Sequence, residues 1–245
     1  VTEVAAEGPW GVRLLPDLRA SGVVQMAIDD ALLDEAHWVT ARRYEWDPPS
    51  LSLGKHQRFP GDDLGRVADE TRREAADGAG AEPLDVVRRP SGGRAVLHGA
   101  AFEWSFAVVF PAGDERTGRV DAAYEVVSRA MSDALSASHV PLVDSREEPY
   151  RRSPLCFSTS LRHDLHTALG KVVAVAQTRR EGASLVHGSV LERRPSERLT
   201  RAVERLLGER WRGEGFGAAG VDRDRLWVSF IEALDRRLEE TGSVR

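Results

Sequence analysis

The stretch Phe102-Glu103-Trp104-Ser105-Phe106-Ala107-Val108-Val109-Phe110 is the strongest strand signal in the chain, and Pro111-Ala112-Gly113-Asp114 stops it. A run this rich in aromatic and β-branched residues commits the protein to a sheet. The rest of the chain has to supply partners for it. Arg43–Trp46 alternates polar and aromatic side chains as a half-buried strand does, and Ser50–Leu53 resumes after Asp47-Pro48-Pro49. Trp10–Leu15, Asp85–Arg89 and Ala183–Val190 are further short strand candidates, and Leu165–Leu169 with Val172–Gln177 reads as a hairpin closed by Gly170-Lys171.

Helical spacing appears between these strands. Val23–His37 places Val23, Met26, Ala27, Leu33 and Ala36 close to a helical period behind Ser21 as candidate cap, and its acidic run from Asp29 to Glu35 reads as a solvated face. Residues 62–76 suggest a surface helix followed by a turn at 77–80. Val120–Ser136 carries Tyr124, Val127, Met131 and Leu135 on one face, and 196–210 and 222–240 are both amphipathic, joined by a Gly-rich connector from Gly213 to Gly220. Residues 144–154 read as a loop. Strands and helices mix without strict alternation, which predicts an α+β fold, a mixed β-sheet flanked by helices. The expected organisation is a catalytic domain over residues 1–195, with residues 196–245 as a C-terminal helical extension packed on it.

Composition narrows the function. The net charge of −5 gives no global basic field for nucleic acid or anionic membrane, and no apolar run approaches a bilayer span. The N-terminal residues lack the pattern of a signal peptide, so a cytoplasmic location is the default expectation. One cysteine excludes an intramolecular disulfide and a multi-cysteine zinc site, and no metal site is expected.

Three features carry chemistry. Ser91-Gly92-Gly93 follows a strand, and paired glycines let backbone amides approach an oxygen without Cβ interference; alone, the segment also reads as a β-turn. Arg88, Arg89 and Arg94 around it suggest a pocket friendly to anions or carbonyls. It is not a P-loop, because no Gly-Lys-Ser/Thr follows. His98, at the start of the strong strand, is a candidate lining residue. Cys156 is either a small buried hydrophobe or a nucleophile whose thiol is acidified by Arg151, Arg152, His163, His166 and Lys171. Lys171 is either a solvated hairpin tip or a cation folded over a pocket to stabilise an oxyanion.

Together these residues resemble the biotin/lipoate protein ligase superfamily, and within it the lipoate ligase A-like, cysteine-dependent octanoyltransferases. Gln25–Leu33 is similar to that family's first helix, and Trp46–Gln57 to its Trp…Pro-Thr-Leu-Ser-Leu-Gly…Gln segment. Arg88–His98 is similar to its Arg-Arg-Pro-Thr-Gly-Gly-Arg-Ala-Val-Leu-His loop, and Gly170–Ser189 to its lysine hairpin and following strand. The likeness spans roughly residues 10–195. It implies Cys156 as the nucleophile and Lys171 as the lysine that contacts the acyl carbonyl. It also implies an acyl pocket lined by Arg89, Ser91, Gly92, Gly93, Arg94, Ala95, His98 and Gln177.

The implied reaction moves an octanoyl group from octanoyl-acyl carrier protein to a lysine of a lipoyl domain, such as glycine cleavage H protein or a 2-oxoacid dehydrogenase E2. It runs through a cysteine thioester and needs no cofactor. The alternatives are an ATP- and magnesium-dependent lipoate ligase, an amidotransferase between lipoyl domains, and a catalytically silent acyl-binding relative. Arg94 stands where ligases carry a third glycine, and only residues 172–245 follow Lys171, which weighs against the ligase. Ala174-Val175-Ala176 replaces the Gly-Ser-Ala common in the family, Gly99 replaces an acidic residue, and Ser158–His163 departs from the usual pattern after the cysteine.

Overall fold

A computed structural model describes residues 11–59, 64–76, 82–114, 119–144, 153–156, 163–210 and 220–242. The chain runs β1 (Arg13–Leu14), β2 (Leu18–Ala20), α1 (Gly22–Asp34), β3 (Thr40–Trp46), β4 (Ser50–Leu53), α2 (Leu64–Ala76), β5 (Asp85–Arg88), β6 (Val96–His98) and β7 (Glu103–Phe110). It continues through α3 (Ala122–Ala137), β8 (Leu142–Val143), β9 (Leu165–Thr167), β10 (Gly170–Arg180), β11 (Ala183–Leu191), α4 (Glu197–Leu207) and α5 (Arg223–Gly242).

The apolar run became β7, and all eight of its residues are buried. It lies at the heart of an eight-stranded mixed sheet, ordered β1-β3-β7-β11-β10-β9-β8, with β2 also paired to β3. β7 is antiparallel to both β3 and β11. A second, three-stranded sheet, β5-β4-β6, holds the glycine loop between its outer strands. Asp85–Arg89 therefore does not pair with Phe102–Phe110 across a simple turn. β4 lies between β5 and β6, parallel to one and antiparallel to the other, so the Ser91-Gly92-Gly93 segment crosses over β4.

Helices cover both faces. α3 and α5 bury Val127, Met131, Leu135, Phe230 and Leu234 against Phe106, Val108, Phe110 and Val186 on one face of the large sheet. α1 packs Met26 and Leu33 with Tyr44, Trp46, Ala107, Val109 and Leu185 on the other. α2 and α4 enclose the small sheet: Val67, Leu199, Ala202 and Val203 meet Leu51, Leu53, Val86 and Leu97. The segment beyond residue 196 thus contributes to the same cores as the strands. Phe230 and Leu234 are fully buried in the largest of them.

Some boundaries moved for identifiable reasons. α1 ends at Asp34, short of His37. Ser21 stands at its N-cap without a side-chain hydrogen bond, whereas Ser196 does cap α4, its Oγ accepting from the amide of Leu199 at 3.2 Å. The acidic run is not a uniform solvated face: Asp29 is completely buried, because β3 brings Arg42 under it. Strands β2, β6 and β8 have only two or three residues each, too short for a periodicity to register. The predicted 77–80 turn, most of the 144–154 loop and nearly all of the Gly213–Gly220 connector lie outside the described residues.

Candidate active site

The site forms where the glycine loop, β10 and the residues before Cys156 meet. Backbone hydrogen bonds place the cysteine. The amide of Ala95 donates to the carbonyl of Pro154 at 2.9 Å, and the amide of Cys156 donates to the carbonyl of Ala95 at 2.8 Å. Ala95 therefore acts through its main chain, stitching the thiol-bearing segment to the strand after the glycine loop.

Lys171 is the second residue of β10 and is buried, not a solvated hairpin tip. Its ammonium has three N–H groups and three protein partners. It donates to Asp164 Oδ2 at 2.6 Å and to the Cys156 carbonyl at 2.8 Å, and it lies 3.6 Å from Cys156 Sγ. Asp164 in turn accepts from the amide of Val175 at 3.3 Å.

Burial pushes the Cys156 thiol above its ordinary value. The Lys171 ammonium and, more weakly, Arg89 oppose that push, while Asp164 adds to it. The expected acidified thiol is thus not the resting state, and Arg151 and Arg152, counted on to acidify it, lie outside the described residues. The Lys171 pKa is raised as well: burial lowers it, but the negative charge of a Cys156 thiolate and of Asp164 outweighs burial, so it stays an ammonium.

A cavity of about 50 Å³ lies between the two sheets, with Cys156 on its wall. Its walls include Met26, Trp46, Val96, Ala174, Ala176 and Gly188. Several polar residues also line it, but their polar atoms are occupied with one another. His98 contacts Ser52 Oγ at 2.8 Å and Ser189 Oγ at 3.2 Å, and stacks on Trp46 with ring centroids 4.0 Å apart. Burial lowers its pKa, so it is a neutral wall. The Tyr44 hydroxyl reaches Asp29 at 3.3 Å. The slot therefore presents mostly carbon.

Arg89 illustrates the same economy. Its Nε donates to Ser91 Oγ, its Nη1 to the carbonyl and hydroxyl of Ser52, and its Nη2 to the carbonyls of Gly92 and Arg94. All five guanidinium N–H groups are used. Arg88 holds the carbonyls of Gly54 and Gln57. These two arginines brace the loop, and most of the oxygens they hold are backbone carbonyls of the protein itself. The loop's glycines have steric reasons. Gly93 has φ +95°, and a Cβ on Gly54 would lie 2.1 Å from the Gly93 carbonyl oxygen. Among the described residues, no protein group accepts from the amides of Gly92 or Gly93.

Residues 21–212 match the profile of the lipoyl protein ligase A/B catalytic domain. The chain belongs to that family. It is 31% identical to Octanoyltransferase LipM of Kyrpidia tusciae over 93% of this chain and 88% of the relative. It is 34% identical to Octanoyltransferase LipM of Symbiobacterium thermophilum, over 73% of this chain and 64% of that protein. The fold is similar to a crystal structure of lipoate-protein ligase A bound with ATP, with a TM-score of 0.66 at 18% identity, covering 94% of this chain and 86% of the other.

Within this lipoyl ligase A/B domain, the structure brings Cys156 and Lys171 together. It puts Arg89, Gly93, Arg94 and His98 on the slot. Gly92 lies on the outer side of the loop, and Ser91 stands behind the wall, its Oγ 2.6 Å from His187 Nε2. Gln177 is not brought in: its side chain donates to the Val120 carbonyl at 3.0 Å, away from the slot.

The residues missed are the acids and their partners. Asp164 lies too close in sequence to the hairpin to stand out from the polar segment before it. Asp29 accepts from Arg42 at 2.6 Å and from His187 Nδ1 at 2.9 Å. Burial pushes its carboxyl up, but Arg42 and His187 outweigh burial and hold it below the usual range. A buried relay, Arg42–Asp29–His187–Ser91–Arg89, thus ties α1, β3 and β11 to the glycine loop. Its only sequence signal was the nearness of His187-Gly188-Ser189 to the family pattern. No cluster of three or more metal-ligating side chains occurs among the described residues. No helix among them is long and apolar enough to cross a membrane.

Proposed function

We propose that this protein is an octanoyltransferase that moves an octanoyl group from acyl carrier protein to a lysine of a lipoyl domain through a thioester on Cys156. The observation that carries this reading is Cys156 on the wall of a carbon-lined slot, its sulfur 3.6 Å from a buried ammonium. The similarity to octanoyltransferases over most of the chain supports it.

The chemistry follows from the geometry. The Cys156 sulfur attacks the carrier thioester carbonyl, a C–S bond forms, and the carrier thiolate leaves with the proton given up by Cys156. Oxyanion charge that develops in this step is met by the Lys171 ammonium, which Asp164 holds in place. The amine of a lipoyl-domain lysine then attacks the Cys156 thioester. A C–N bond forms, the C–S bond breaks, and the sulfur takes back a proton as the amine loses one. Thioester exchange is nearly isoenergetic and amide formation from a thioester is downhill, so no nucleotide is needed.

The test is transfer in a mixture of octanoyl-acyl carrier protein, a lipoyl domain and this protein, without nucleotide. An octanoyl amide on the lipoyl-domain lysine is the expected product. Amide formation only from free octanoate or lipoate with ATP and magnesium contradicts the proposal and assigns a ligase.

A further inference from the structure

On the outer side of the glycine loop lies a second, open cleft of about 660 Å³. It shares Gly93 and Arg94 with the acyl slot and reaches Pro154, two residues from Cys156. The slot accounts for an acyl chain and the thiol for its carbonyl. The cleft has no part in either, and it borders the slot at Gly93 and Arg94.

The character of the cleft is opposite to that of the slot. Among the described residues its lining carries two guanidinium groups, Arg58 and Arg94, and His56, against one carboxylate, Glu209, in a chain whose net charge is −5. Arg58 is exposed and makes no hydrogen bond or ion pair among the described residues, unlike the fully engaged Arg89. Gly92 borders the cleft, and a Cβ there would meet nothing within 4 Å, so its backbone is open to a ligand. Gly93 lines the cleft too, and among the described residues the amides of Gly92 and Gly93 have no acceptor. The wall is preorganised. The amide of Lys55 donates to the Ser91 carbonyl at 2.8 Å, and Gln57 Nε2 donates to the Pro154 carbonyl at 3.0 Å. Backbone amides next to guanidinium groups recognise phosphate oxygens.

We infer that this cleft binds the phosphate ester of the flexible arm that carries the acyl thioester, with Arg58 as its anchoring cation. The inference rests on the octanoyl-transfer reading and gives the donor a second recognition point, polar where the first is apolar. It makes the glycine loop a divider, with chain on one face and phosphate on the other.

Two small donors separate the contributions: octanoyl-pantetheine, and the same thioester with the pantetheine 4′-phosphate. Acylation of Cys156 is followed by intact mass against donor concentration. The wild type is expected to use the phosphorylated donor at about tenfold lower concentration. In Arg58→Ala that ratio falls towards one, and in Arg58→Lys it is partly restored. Equal use of the two donors by the wild type, or an unchanged ratio in Arg58→Ala, overturns the inference while leaving octanoyl transfer intact. A missing adduct from both donors overturns octanoyl transfer and the inference with it. A third arm supplies octanoate with ATP and magnesium. If Cys156-independent activity appears there and depends on Arg58, the phosphate belongs to a nucleotide and the inference fails.

Discussion

At the scale of single residues, the site depends on one buried cation near one buried thiol. Because burial holds the thiol pKa above its ordinary value, the thiolate fraction, and with it the rate of Cys156 acylation, should rise with pH through neutrality. Removing the Lys171 charge removes the largest influence that lowers the thiol pKa. Lys171→Met should therefore shift the pH–rate limb further alkaline, with each unit costing about tenfold at neutral pH. An unshifted limb in that variant would mean the ammonium does not act on the sulfur. Stability gives a second reading of the same pair. Asp164→Asn leaves Lys171 buried without its carboxylate and should cost about 3–5 kcal/mol in denaturant unfolding, whereas the Lys171→Met/Asp164→Asn double variant should recover much of that loss. Cys156 and Lys171 were legible because a lone thiol and a Gly-Lys hairpin are rare enough to notice. Asp164 and Asp29 were not, because an aspartate buried by an arginine or lysine from another strand looks, in sequence, like any solvated acid.

Secondary-structure elements account for how these residues are held. The glycine loop is clamped between the β4–α2 connection and the Pro154–Cys156 segment, and Gly54 is the point of closest approach. Gly54→Ala puts a methyl group against the Gly93 carbonyl, a backbone atom that cannot swing aside. The expected result is a displaced loop, Cys156 acylation reduced at least about 100-fold and a fall in stability of about 1–3 kcal/mol, checked by kinetics and thermal unfolding. The long elements matched their sequence patterns: β7, β10, β11, α3 and α5 each bury enough residues for a period to show. The crossing of β4 between β5 and β6 had no such pattern, because strand order within a sheet is set by tertiary pairing and not by the local apolar run. A loop that looked like a hairpin turn is for that reason the partition between two cavities.

Across the whole molecule, both ends of the described chain hold the site. The first helix supplies Asp29 to the relay behind the loop. The last helix completes the core beneath β7, and its Arg223 binds both carboxylate oxygens of Glu192 at the end of β11, at 2.6 and 2.7 Å. Phe230 packs on Phe106, with ring centroids 5.2 Å apart. Phe230→Ala should cost about 3–5 kcal/mol in a single cooperative unfolding transition. A separate low-stability transition would instead mean that the C-terminal helix folds independently of the catalytic sheet. The central claim, that the buried thiol carries the acyl group between donor and acceptor, is tested most directly by mass. The protein is incubated with octanoyl-acyl carrier protein, its intact mass is measured, and a lipoyl domain is then added. The account predicts one octanoyl group gained, absent in Cys156→Ser, and lost from the protein as it appears on the lipoyl domain. Transfer at an undiminished rate by Cys156→Ser, or an adduct that the lipoyl domain cannot discharge, would contradict it.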